Sequence, residues 1–143
     1  MTVKSILEEK GRDVVTLSPS ETIESAIRTL AERRIGALVI VTGDNRIAGI
    51  LSERDVVRII AAEGVEALKK PLSTAMTARV RTCSENHTVH DVMETMTEGR
   101  FRHMPVESSG RLVGIISIGD VVKRRIREVE QEAEDIKAYI ATV

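Results

Sequence analysis

Gly49-Ile50-Leu51-Ser52-Glu53-Arg54-Asp55-Val56-Val57 returns later in the chain as Gly114-Ile115-Ile116-Ser117-Ile118-Gly119-Asp120-Val121-Val122, so both copies spell G-I-x-S-x-x-D-V-V. In each, an apolar run meets a serine, a favoured helix N-cap, and helical spacing follows. Further similarity surrounds the two copies at an offset of about 66. Val14, Thr16, Ser18 and Thr22 recur as Val80, Thr82, Ser84 and Thr88. Ile23, Ala26, Ile27 and Leu30 recur as Val89, Val92, Met93 and Met96. An internal repeat fixes the architecture before any element is assigned.

Each repeat reads as strand, helix, strand, strand, helix, a mixed α/β (α+β) fold. Short β-branched strands are expected at Val14 to Leu17 and Val80 to Cys83, each running into turn-forming residues. Ile23, Ala26, Ile27, Leu30 and Ala31 then lay one apolar stripe along a helix, with Thr22 and Thr88 as matching N-caps and Ser18-Pro19 as a rival start in the first repeat. Hairpins follow. Ile35 to Val41 and Arg46 to Leu51 flank Thr42-Gly43-Asp44-Asn45, and Phe101 to Val106 and Leu112 to Ser117 flank a second polar turn. Pro105 cannot donate to a ladder, so it marks an edge or a gap in pairing. The last helix of the first repeat ends near Gly64, and a linker with a short helical turn at Leu72 to Met76 separates the repeats. The last helix of the second runs to about Ala141 with Val122, Ile126, Val129, Ala133, Ile136 and Ile140 at alternating steps of four and three. That seam is short for a free coiled coil, so it is expected to pack on the body or on a second subunit. Residues 1–68 make the first repeat with an N-terminal helix, 69–126 the second with its leading linker, and 127–143 the helix extension.

The 143 residues balance 21 basic against 22 acidic side chains, with 42% hydrophobic residues, as in an ordinary globular protein. That length excludes a full barrel enzyme. A net charge of -1 gives no electrostatic case for nucleic acid or a polybasic membrane anchor, and Phe101 and Tyr139 are too few aromatics for stacking single-stranded bases. One cysteine, Cys83, excludes an internal disulfide and fits a reducing compartment, so a cytoplasmic location is expected; neither a secretory signal pattern nor a membrane-length apolar run is present.

A helix start exposes free amides and a positive dipole end, which favour an anion. Ser52 and Ser117 can donate a hydroxyl there, while Asp55 and Asp120, one turn on, offer two acceptor oxygens suited to the adjacent hydroxyls of a ribose. Phosphate and sugar together describe a nucleotide. Gly49 and Gly114 lighten the strand where a ligand or another backbone comes close. Ser-x-x-Asp is also a capping box that merely closes a helix. Two copies in the same context, within repeats that have otherwise diverged, indicate a further demand on these side chains.

The doubled motif resembles a tandem of CBS domains, the Bateman module, over about Val3 to Ile126; Arg102-His103-Met104-Pro105-Val106 resembles a segment of stand-alone bacterial members. The resemblance implies two repeats about a pseudo-two-fold axis, with clefts between the sheets that hold AMP, ADP, ATP, NAD(H) or S-adenosylmethionine. By position it implies ribose on Asp55 and Asp120, phosphate near Ser52 and Ser117, and Thr16 and Thr82 on the adenine and sugar side. Arg54, Arg102 and His103 become phosphate partners. Gly36, Ala37 and Leu38 stand where the second repeat has Arg102, His103 and Met104, just ahead of Pro105, and Gly119 stands where the first has Arg54, so the clefts differ in their charged walls. A homodimer is also implied, with seams at Val3, Ile6, Leu7 and the last helix expected to be exposed, and a separate protein as the regulated target.

Other features weigh less. His87 and His90 lack further metal ligands nearby, Cys83 reads as a buried inert thiol, and Lys123-Arg124-Arg125 with Arg127 reads as a solvated face paired with the acidic residues that follow. No nucleophile elbow, phosphate loop or zinc-protease motif is present, which points away from an enzyme. The alternatives are an adaptor whose boxes only cap helices and, less favoured, a nucleotide hydrolase.

Overall fold

The computed structural model describes residues 1–142. The elements run α1 (Val3–Lys10), β1 (Thr16–Leu17), α2 (Ile23–Arg33), β2 (Ala37–Val41), β3 (Ile47–Ser52) and α3 (Glu53–Glu63). Two 3-10 turns, Gly64–Lys69 and Leu72–Thr74, lead to α4 (Val89–Gly99), β4 (His103–Ser108), β5 (Arg111–Ser117) and α5 (Ile118–Thr142). The caps fall at the two threonines: Thr22 accepts from the Ser25 amide at 3.1 Å and Thr88 from the Asp91 amide at 3.0 Å. The first sheet has order β1-β2-β3, with β1 parallel to β2 and β2 antiparallel to β3.

The second sheet holds only β4 and β5, and the strand expected at Val80 to Cys83 is reduced to one bridge between Cys83 and Val106. Pro105 is the reason. The Cys83 amide donates to the Pro105 carbonyl at 3.1 Å and the Glu107 amide to the Cys83 carbonyl at 2.9 Å, but Pro105 has no N–H to extend this ladder. In the first repeat Val39 occupies that position and pairs with Thr16.

Each repeat closes its core with the segment that leads into the other. Val3, Ile6 and Leu7, expected to be exposed, are instead buried with Val89, Val92, Met96, Met104, Val106 and Ile116 of the second repeat. The N-terminal helix therefore belongs to the second core rather than the first. Leu72, Ala75 and Met76, just ahead of the second repeat, pack with Ile23, Leu30, Leu38 and Leu51 of the first. Backbone bonds pin both crossings: the Val3 amide reaches the His87 carbonyl at 2.9 Å, and the Ile23 amide the Lys70 carbonyl at 3.0 Å. The repeated glycines make room for them. A Cβ on Gly49 would sit 2.9 Å from the Thr77 carbonyl and 2.7 Å from the Met76 sulfur; one on Gly114 would sit 2.7 Å from Leu7 Cδ2. Another segment of the protein is the close neighbour at both.

The basic run on α5 is only in part a solvated face: Arg125 pairs with the following Glu128 at 3.0 Å as expected, but two other members cross to another helix. Arg124 donates to the Ser5 carbonyl at 3.0 Å and pairs with Glu9, and Arg127 reaches Glu9 at 3.0 Å, which fastens α5 to α1. These bonds hold the Glu9 carboxyl below its ordinary value, the Arg127 hydrogen bond contributing most. No described helix is long and apolar enough to cross a membrane.

Candidate functional site

Both Ser-x-x-Asp motifs form capping boxes. Asp55 Oδ2 accepts from the Ser52 amide at 2.9 Å and its hydroxyl at 3.0 Å, and the Asp55 amide donates back to Ser52 Oγ at 3.3 Å. Asp120 Oδ2 accepts from the Ser117 amide at 2.9 Å, and the Asp120 amide donates to Ser117 Oγ at 3.2 Å. The two carboxylates differ in their surroundings. Among the described residues, Asp55 Oδ1 has one hydrogen-bond partner, the Thr77 hydroxyl at 3.4 Å, a long and weak bond. Asp120 is held by Lys10, whose ammonium lies 2.7 Å from Oδ2 and 3.0 Å from the Ile115 carbonyl. Burial opposes ionisation of Asp120, yet its bonds to Lys10 and Ser117 prevail and keep the carboxyl below its ordinary value.

Two cavities open beside these junctions. The first, of about 380 Å³, is lined by Ser52, Arg54, Asp55, Arg102, His103 and Gly36 among the residues selected from the sequence. The second, of about 360 Å³, takes in Gly36, Ala37, His103 and Ser117, together with Lys10. Thr16, Thr82, Met104, Pro105, Gly119 and Asp120 line neither, and Met104 is sealed in the core at 1% exposure.

The first cavity also has a wall that the sequence reading missed. Arg58, Arg79, Arg81 and Arg100 join Arg54 and Arg102 around it, against only Glu53 and Asp55 of opposite sign. Among the described residues none of these six guanidinium groups forms an ion pair or a side-chain hydrogen bond. They come from α3, from the connection after Met76 and from the turn between α4 and β4. Arg79-Val80-Arg81 and Arg100-Phe101-Arg102 each bring two arginines to this wall from a short non-helical stretch. Phe101, Ile50 and Val80 add apolar surface for a flat ring.

His103 and Gly36 line both cavities, and a Cβ on Gly36 would come within 3.2 Å of the imidazole. Burial pushes the His103 pKa below its ordinary value; Glu53 opposes this, and Lys10 acts in the same direction as burial. Its folded pKa being the lower one, the neutral ring stabilises the fold above about pH 6.5, and that contribution is lost as pH falls through the folded value. Between pH 7.5 and 5.5, urea denaturation is expected to show a larger loss of stability in the wild type than in His103→Gln. Equal losses would mean that the ring is solvated.

The other titratable candidates are occupied elsewhere. His87 Nδ1 accepts from the Ser84 amide at 2.8 Å, and His90 lies 3.1 Å from Glu94. Burial pushes the Cys83 thiol up to about 12.

The CBS domain family model matches residues 3–62 and again 72–127. The mitochondrial CBS domain-containing protein CBSX3 of Arabidopsis thaliana is 30% identical over 97% of this chain and 71% of its own. The CBS-domain containing protein ATU1752 of Agrobacterium tumefaciens superposes with a TM-score of 0.83 and 51% identity, over 87% of this chain and 92% of that one. The CBS domain pair of protein MJ0100, solved with 5'-methylthioadenosine and S-adenosyl-L-methionine, aligns with a TM-score of 0.79 and 25% identity over 90% of this chain and 98% of its own.

Proposed function

The chain belongs to the CBS-domain family, with two domains in tandem, and from that premise we propose that it is a non-catalytic regulatory module that binds an adenosine nucleotide in the first cavity. The supporting observation is the unpaired arginine cluster beside Asp55. Six guanidinium groups against two carboxylates leave a net charge of about +4 facing a cavity of nucleotide size. Guanidinium forks match phosphate oxygens in pairs, so each added phosphate gains partners. Asp55 Oδ1 takes the ribose hydroxyls, and Phe101 with Val80 offers the purine an apolar face. The adenosine compounds bound by the MJ0100 pair support the choice of base. ATP, ADP, AMP and NAD(H) all carry the required groups; the charge favours the longer phosphate chains.

At the second motif the alternative reading, a capping box without a ligand, has the better support, because Lys10 already neutralises Asp120 and that carboxylate lines neither cavity. The module is read as an intracellular homodimer whose liganded and free states a separate protein target distinguishes; a target responds only to a difference in affinity between two states. Isothermal titration with adenosine, AMP, ADP and ATP tests the reading. Affinity is expected to rise along that series and to fall with added salt, with the nucleotide recovered unchanged. No heat with any of them would favour an adaptor, and turnover would favour an enzyme.

A further inference from the structure

Residues 129–142 of α5 are all exposed. A segment of that length is at the margin of stability for a helix in water, where packing of an apolar face supplies most of the stabilisation. The apolar face exists: Val122, Ile126, Val129, Ile136 and Ile140 are 42%, 53%, 48%, 60% and 67% exposed, and Ala133 completes the stripe. The body does not cover it. Val121, Arg124 and Glu128 make the contacts with the core, Ser5 and the N-terminal amine from the opposite side of the helix.

We propose that a second copy of this chain covers the stripe, with the two α5 helices parallel and in register. The charges beside the stripe select this occupant and this direction. Arg125 and Glu132 flank one edge, and Glu130 and Lys137 the other. In a parallel pair Arg125 of each copy faces Glu130 of the other, and Glu132 faces Lys137, giving four attractive pairs over six apolar layers. An antiparallel pair that buries the same six residues sets Glu130 against Glu130, Glu132 against Glu132 and Lys123 against Lys137. The antiparallel registers that restore attraction leave either Ile136 and Ile140 or Val122 and Ile126 outside the seam. Arg125 now binds Glu128 in its own helix at 3.0 Å, a partly buried pair one turn apart, of a kind that contributes little to a helix.

The pairing specifies the homodimer of the functional reading and rests on that reading only for the existence of two copies. Sedimentation equilibrium of the full chain from about 1 to 100 µM is expected to show a dimer. The double variant Ile136→Glu with Ile140→Glu changes only exposed positions and should raise the dimer dissociation constant at least tenfold with the thermal transition of the body retained. Val129→Cys should form an interchain disulfide under mild oxidation, the buried Cys83 remaining unreacted. A monomeric wild type, a dimer indifferent to the double variant, or no cross-link at Val129→Cys would each overturn the proposal. ATP titration of the same samples separates the two readings: a monomer that binds ATP refutes the pairing alone, and a dimer without ATP affinity refutes the nucleotide alone.

Discussion

Asp55→Ala is expected to weaken ATP binding by about 10- to 100-fold, whereas Asp120→Ala leaves it within about twofold. The size follows from losing hydrogen bonds to a charged acceptor, worth roughly 1.5–3 kcal/mol, at about 1.4 kcal/mol per factor of ten. The asymmetry follows from what each carboxylate already holds. Asp55 Oδ1 has a single weak protein donor, while Asp120 carries a lysine ammonium at 2.7 Å. The variants control for each other, since both remove the same bond to a serine N-cap amide, worth about 1 kcal/mol. Urea denaturation should therefore show both destabilised to a similar degree, with Asp120→Ala somewhat worse for the lost Lys10 pair. Equal effects of the two on ATP affinity would refute the assignment of the first cavity.

Leu7→Ala is expected to destabilise the protein by about 2–5 kcal/mol, the range for emptying a buried leucine site. Total stability of a domain is about 5–15 kcal/mol, so the loss is large. Leu7 is 1% exposed and lies in the core of the second repeat, against the strand that carries Gly114. Leu72→Ala, fully buried in the first core, should cost a comparable amount. Removing residues 1–10 should leave the second repeat unable to fold with a closed core. A shift below about 1 kcal/mol for Leu7→Ala, read from urea midpoints at constant slope, would show that α1 is only loosely seated.

The sequence made the local structure legible because that structure is decided over short distances. Ser52 and Ser117 cap the helices at the repeated motif, Thr22 and Thr88 cap the others, and both hairpins lie between their turn residues. What depended on distant partners was not legible. Val3, Ile6 and Leu7 form an amphipathic stripe whatever covers them, and only the space above Gly114 decides that the second repeat does. Arg124 and Arg127 resembled a surface run because Glu9, their partner, is more than 100 residues away. The site was half legible. The motif gave Ser52 and Asp55, but Arg79, Arg81 and Arg100 belong to a connection and a turn, where no periodicity assigns a direction until the fold brings three segments together.

The exchanged leading segments also bear on how many repeats a chain can hold. One repeat with its leader is half of a swapped pair: its core stays open until the leader of another copy closes it. Joined by a linker, the two halves meet at an effective concentration fixed by the tether, so closure does not weaken on dilution. The arrangement works in twos. Two is the smallest number of repeats that closes within one chain, since a single repeat has no second leader to receive.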